Sequence, residues 1–139
     1  MSSYTMSATL DRGYDDAVSA VRDALADAGF GVLTEIDVRA TMKNKLDLDV
    51  PAQVILGACR PQLAHQAMDA DPSISTLLPC NVVVRDLGDG TTLVETIDPA
   101  TMSQLSDQPE IADVASQVSE LLEGVLSALT SEPAAARRE

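Results

Sequence analysis

The sequence has no tryptophan, one phenylalanine and two tyrosines, so aromatics make up 2% of its 139 residues. Stacking platforms for nucleic-acid bases are built from such rings and are not expected here. Cations are scarce as well: 9 Lys plus Arg stand against 22 Asp plus Glu, for a net charge of −13. That balance repels phosphate backbones and anionic membrane surfaces, so neither nucleic acid nor membrane is an expected partner. Lysine occurs only at Lys43 and Lys45. The excess of Asp over Glu fits a salt-rich cytoplasm or a GC-rich genome equally well. Two cysteines, Cys59 and Cys80, are too few for a disulfide framework. The start, Met1-Ser2-Ser3-Tyr4-Thr5, has no basic region and no apolar run of signal-peptide length, and nowhere do about 18 apolar residues follow one another. The expectation is a cytoplasmic protein with two reduced thiols and no membrane span.

Catalytic signatures are missing too. There is no phosphate-binding Gly-x-x-x-x-Gly-Lys loop, no Gly-x-Gly-x-x-Gly after a strand, no nucleophile-elbow serine and no paired-histidine metal motif. No cofactor is expected.

What the chain does have is aliphatic residue in quantity. Apolar side chains are 45% of the total, and at 139 residues a single domain can bury a core of Leu, Val, Ile, Ala and Met without staples. Residues 3–10 alternate loosely and stop at Asp11-Arg12-Gly13, which reads as a strand and a turn. Tyr14, Val18, Val21, Leu25 and Ala28 then recur at helical spacing, with acidic residues opposite and Gly29 where a C-terminal cap belongs. Residues 31–36 read as a second strand, and Asp37 is placed to cap a short helix carrying Val38, Met42, Lys43 and Lys45, or to start an irregular loop. Residues 53–59 form an apolar strand running into a helix opened by Pro61, with Leu63, Ala64, Ala67 and Met68 toward the core. Residues 79–85 and 91–97 flank Gly88-Asp89-Gly90, the pattern of a hairpin. Pro109 opens a long helix with Ile111, Val114, Val118, Leu121, Leu122, Val125 and Leu129 on one stripe, ending before Pro133. That stripe could serve as a core face or as a partner surface.

The order predicts an α/β (α+β) domain over residues 1–132, followed by a flexible tail at 133–139. Its sheet is a single layer of about five strands, mixed but largely antiparallel, with helices packed on one face.

Cys59 is the most suggestive residue, because a thiol between an apolar strand and a helix start lies where free amides favour a thiolate, and Arg60 adds a cation. The plainer reading is a small apolar residue under the sheet. Cys80 meets Cys59 only if residues 71–79 return the chain to the same edge; a parallel crossover would separate them. His65, the only histidine, would complete a three-ligand metal site with both thiols, although no recognised ligand spacing links them. The plainer reading puts His65 on an exposed helix face. Glu35 and Asp37 share one face of an extended segment with Lys43 and Lys45 nearby, which suggests either a charged pocket or a solvated ion pair.

Three stretches carry a family resemblance: Gly29-Phe30-Gly31-Val32-Leu33-Thr34-Glu35-Ile36-Asp37-Val38, Ile55-Leu56-Gly57-Ala58-Cys59-Arg60-Pro61 and Leu77-Leu78-Pro79-Cys80-Asn81-Val82-Val83-Val84. Through them the chain resembles the bacterial and archaeal family called domain of unknown function 302, over about residues 4–129. The resemblance implies an α/β sandwich that tends to pair into homodimers. It also singles out the positions held here by Glu35, Asp37, Lys45, Cys59, Pro61, Pro79, Cys80 and Asn81, with Arg60 where the family often has Asn. The family brings no established reaction. The resulting expectation is a homodimeric binding or sensing module holding a small ligand near Glu35, Asp37, Lys45, Cys59, Cys80 and Asn81. A thiol-based redox or metal-binding enzyme using Cys59 and Cys80, and a purely structural dimerisation protein, are the alternatives.

Overall fold

Alternating burial along the last two strands decides which way the sheet faces. In a computed structural model that describes residues 3–131, five strands pair in the order β1-β5-β4-β3-β2: β1 Thr5–Leu10, β2 Gly31–Asp37, β3 Gln53–Cys59, β4 Cys80–Asp86 and β5 Thr92–Ile97. All four pairings are antiparallel. The register sets Val54 opposite Val84, Leu56 opposite Val82 and Ala58 opposite Cys80, and Val84 in turn opposite Val94. Every one of these side chains is buried. Period-2 geometry sends them all to one face, which the helices cover. Residues between them, such as Asn81, Val83, Glu95 and Thr34, belong to the other face.

The helices are α1 Tyr14–Asp27, α2 Val38–Leu46, α3 Pro61–Ala70, α4 Ala100–Leu105 and α5 Pro109–Ser131. Helix α1 buries Ala17, Val21 and Leu25, and it ends as Gly29 suggests. Gly29 has φ +87°, Phe30 N donates to the Leu25 carbonyl at 2.9 Å, and Gly29 N donates to that of Ala26 at 3.0 Å. This is the Schellman arrangement, in which only glycine enters the left-handed region freely. Phe30 and Leu25 are both buried, the apolar contact that accompanies this cap.

Helix α5 buries Ile111, Val114, Val118, Leu122, Val125 and Leu129 and packs on α1, α3 and β1. Its stripe is therefore a core face, and the alternative of a partner surface along it is corrected. In α3, Leu63 and Ala67 are buried, but Met68 is exposed, contrary to expectation. Helix α4 is the element the sequence pattern did not announce. It is held by local bonds, with Asp98 Oδ1 accepting from Ala100 N and the Asp98 carbonyl accepting from Thr101 N. Among buried polar groups, the Thr92 hydroxyl donates to the Arg12 carbonyl at 2.9 Å, meeting the requirement that a buried donor find a partner. Among the described residues no helix is long and apolar enough to cross a membrane. The predicted tail at 133–139 lies outside the described residues.

Candidate functional site

Antiparallel pairing settles whether the two cysteines meet. Helix α3 and a 3-10 helix, Pro72–Leu77, carry the chain back, so β4 starts beside the end of β3 and Cys80 lies opposite Ala58. The 3-10 helix opens with Asp71, whose carboxylate accepts from Ser73 N, and the peptide between Leu78 and Pro79 is cis. Cys80 is buried on the helix-covered face, while the pleat turns the neighbouring Cys59 the other way. The thiols are neighbours across two strands, on alternate pleats by register, and both are free.

Burial shifts both thiols away from the thiolate. Burial raises the pKa of Cys59, and burial, then the charge of Cys59, pushes Cys80 up to about 11. The direction runs against the low-pKa thiolate expected at a helix start, since burial disfavours the charged form of the sulfur. Arg60 serves another purpose. Its Nη1 donates to the Ala28 carbonyl at 3.4 Å, and its guanidinium lies over Gly29, close to where a Cβ would stand. A cation at the C-terminus of α1 complements the helix dipole there. His65 is exposed on α3, and among the described residues no group of three His, Cys, Asp or Glu could hold a metal, so the Cys59, His65 and Cys80 set does not converge.

The charged residues form a separate neighbourhood. Glu35 lies opposite Leu56 and Asp37 opposite Val54, which sends both carboxylates to the helix side of an edge strand. Glu35 pairs with Arg22 of α1. Asp37 caps α2, accepting from Ala40 N at 2.9 Å. Burial, then the charges of Asp37, Asp15, Glu35 and Asp86, raises the pKa of Tyr14 beside them. Lys43 bonds Asp47 at 3.0 Å at the end of α2, and Lys45 is exposed. Since Asp37 is paired at Val54 and Cys59 ends the same strand, the two neighbourhoods lie roughly 16 Å apart at about 3.3 Å per residue. Asn81, opposite Gly57, is on the open face. The single pocket expected from Glu35, Asp37, Lys45, Cys59, Cys80 and Asn81 is therefore corrected: register and pleat divide these residues between two ends and two faces of the sheet.

Cys80 and Asn81 do border a cleft, of about 520 Å³. Its floor is the open sheet face, from Thr5, Val83, Glu95 and Ile97. Its walls are the segment from Thr76 through Pro79, Tyr4, and Thr101 and Met102 of α4. Close approach makes the wall possible, since a Cβ on Gly57 would stand 2.8 Å from Pro79 Cγ. Behind Pro79, Cys80 and Met102 a narrow apolar crevice continues toward Phe30 and Cys59. Within the cleft Glu95 Oε2 accepts from Thr5 Oγ1 at 2.9 Å, and Glu95 Oε1 lies 3.9 Å from Arg85 Nη2. Sequence reasoning missed Glu95, Thr5, Tyr4 and α4. Alternation on β5 could have placed Glu95 on the face opposite Val94, but no local signal pairs β1 with β5. Another groove, of about 560 Å³ between α1 and α5, has Asp16, Asp23, Asp27 and Glu120 over small residues and contains none of the motif positions.

The fold and cleft define a small α+β domain with one helix-covered antiparallel sheet and a cleft on its other face. The chain belongs to the family Domain of unknown function DUF302, whose model matches residues 6–129. A crystal structure of an uncharacterized conserved protein DUF302 from Bacillus stearothermophilus is similar, with a TM-score of 0.83 and 24% identity over 92% of this chain and 99% of that one. At that identity the likeness carries the fold alone. No curated protein matches the chain.

Proposed function

We propose that this protein is a small-ligand binding or sensing module whose site is the cleft bordered by Cys80 and Asn81. One observation carries the reading: a 520 Å³ concavity falls on the Leu77-Leu78-Pro79-Cys80-Asn81 segment, within the size range of small-molecule sites, and combines aliphatic walls with several neutral hydrogen-bonding groups. Raised thiol pKa values give no support to the redox-enzyme alternative. Titration with Nile red, a neutral apolar dye, is expected to give saturable fluorescence enhancement with a micromolar Kd. Thr101→Trp, which fills the cleft from α4, is expected to weaken that binding about tenfold or more. Unchanged dye affinity in the variant overturns the assignment of the cleft.

A second reading, homodimer formation, is favoured by a specific observation and is compatible with the first. From residue 31 to residue 53 no side chain is buried in the single chain. Leu33 is 64% exposed, Ile36 48%, Leu46 60% and Leu48 49%. An apolar edge strand with open backbone groups and an unburied helix beside it invites a second copy. Light scattering is expected to give about twice the 14.6 kDa of one chain, and Ile36→Glu to give the monomer mass. A monomeric wild type overturns this reading.

A further inference from the structure

We infer that ionic strength governs the pairing of two copies through residues 31–53, with salt strengthening the pair. The inference rests on the homodimer reading and names what regulates that interface. Its ground is an uneven distribution of charge. Residues 31–53 hold four acidic side chains, Glu35, Asp37, Asp47 and Asp49, and three basic ones, Arg39, Lys43 and Lys45, a net charge of −1. The rest of the chain carries −12 of the total −13. Charges within the segment are also engaged in its own copy: Glu35 pairs with Arg22, Asp37 caps α2, and Lys43 reaches both Asp47 and Asp49.

A second copy therefore meets the least like charge where Leu33, Ile36, Leu46 and Leu48 are exposed and β2 is an edge strand. A two-fold contact sets the same patch on both sides, so the −12 remainder of each copy stays outside the interface and repels the other through water. At about 20 mM salt the screening length is roughly 20 Å, long enough for the two bodies to repel as wholes. At about 500 mM it is roughly 4 Å, and the repulsion is confined to the rim. Apolar contact and strand hydrogen bonds are not screened in this way. An interface held by ion pairs across it behaves in the opposite sense and loosens as salt rises.

Sedimentation of a dilution series in about 20 mM and about 500 mM NaCl tests this. The dimer Kd of the wild type is expected to fall at least about tenfold at the higher salt. Asp113→Asn with Glu123→Gln removes two exposed charges from α5, which packs on α1, α3, α4 and β1. This variant is expected to pair about threefold more tightly than the wild type at low salt and equally well at high salt. A dimer whose Kd does not change with salt, or rises with it, overturns the inference and leaves the homodimer reading standing. A monomer at both salt concentrations overturns both. If salt tightens the wild type but the variant matches it at low salt, repulsion between the acidic bodies is not the cause and the inference falls.

Discussion

Leu56→Ala is expected to lower unfolding stability by about 3–5 kcal/mol, read as a fall in the urea midpoint at constant slope. Leu56 is fully buried in the middle of β3, a strand paired on both sides, and it faces Val82 in the layer between sheet and helices. Removing three carbons there forfeits their transfer from water and leaves a void that a strand hydrogen-bonded to two neighbours cannot collapse to fill. Leu105→Ala, at a residue 66% exposed on α4, is the control and is expected to change stability by no more than about 0.5 kcal/mol. Comparable losses in the two variants would contradict the core described above.

The second large effect is a loss of stability in alkali that depends on Cys80. Burial raises this thiol from its ordinary value of 9.0 to about 11 in the folded protein, so the folded state keeps its proton where the unfolded chain loses it. Below pH 9 both states are protonated and the full contribution is present. Between pH 9 and about 11 unfolding releases a proton, and stability declines with rising pH. Above the folded value the decline stops. Two units correspond to about 3 kcal/mol at most. Urea unfolding of wild type and Cys80→Ala from pH 8 to 11 checks this, since other titrating groups act in both proteins and cancel in the comparison. A wild-type curve parallel to that of Cys80→Ala overturns it.

The elements were largely legible because each is encoded by a local period. Val18, Val21 and Leu25 write a helix face, and Val82, Val84 and Val94 write one side of a sheet. Gly29 marks a helix end through its own backbone freedom. Helix α4 was not legible, because six residues are too few for a periodic stripe and its start rests on Asp98, a turn residue anywhere else. The candidate site was half legible. The motif around Pro79, Cys80 and Asn81 borders the cleft, yet Glu35, Asp37 and Lys45 have tasks elsewhere, as an ion pair with Arg22, a helix cap and an exposed cation.

Residue types and their short spacings were enough for the acidic, tryptophan-free composition, the strands and main helices, the side chains able to form a core, and membership of a family. These depend on residue type and on spacings of two to four positions, where the chain's own geometry carries the information. It took the folded arrangement to make the strand pairings antiparallel, to put Cys59 and Cys80 on alternate pleats of adjacent strands, and to bring Glu95 and Thr5, 90 positions apart, together on the floor of one cleft. The reason is that strand register is settled by the burial of a whole face at once. Shifting one strand by a single residue would exchange every inward side chain for an outward one, a choice no local segment can make alone.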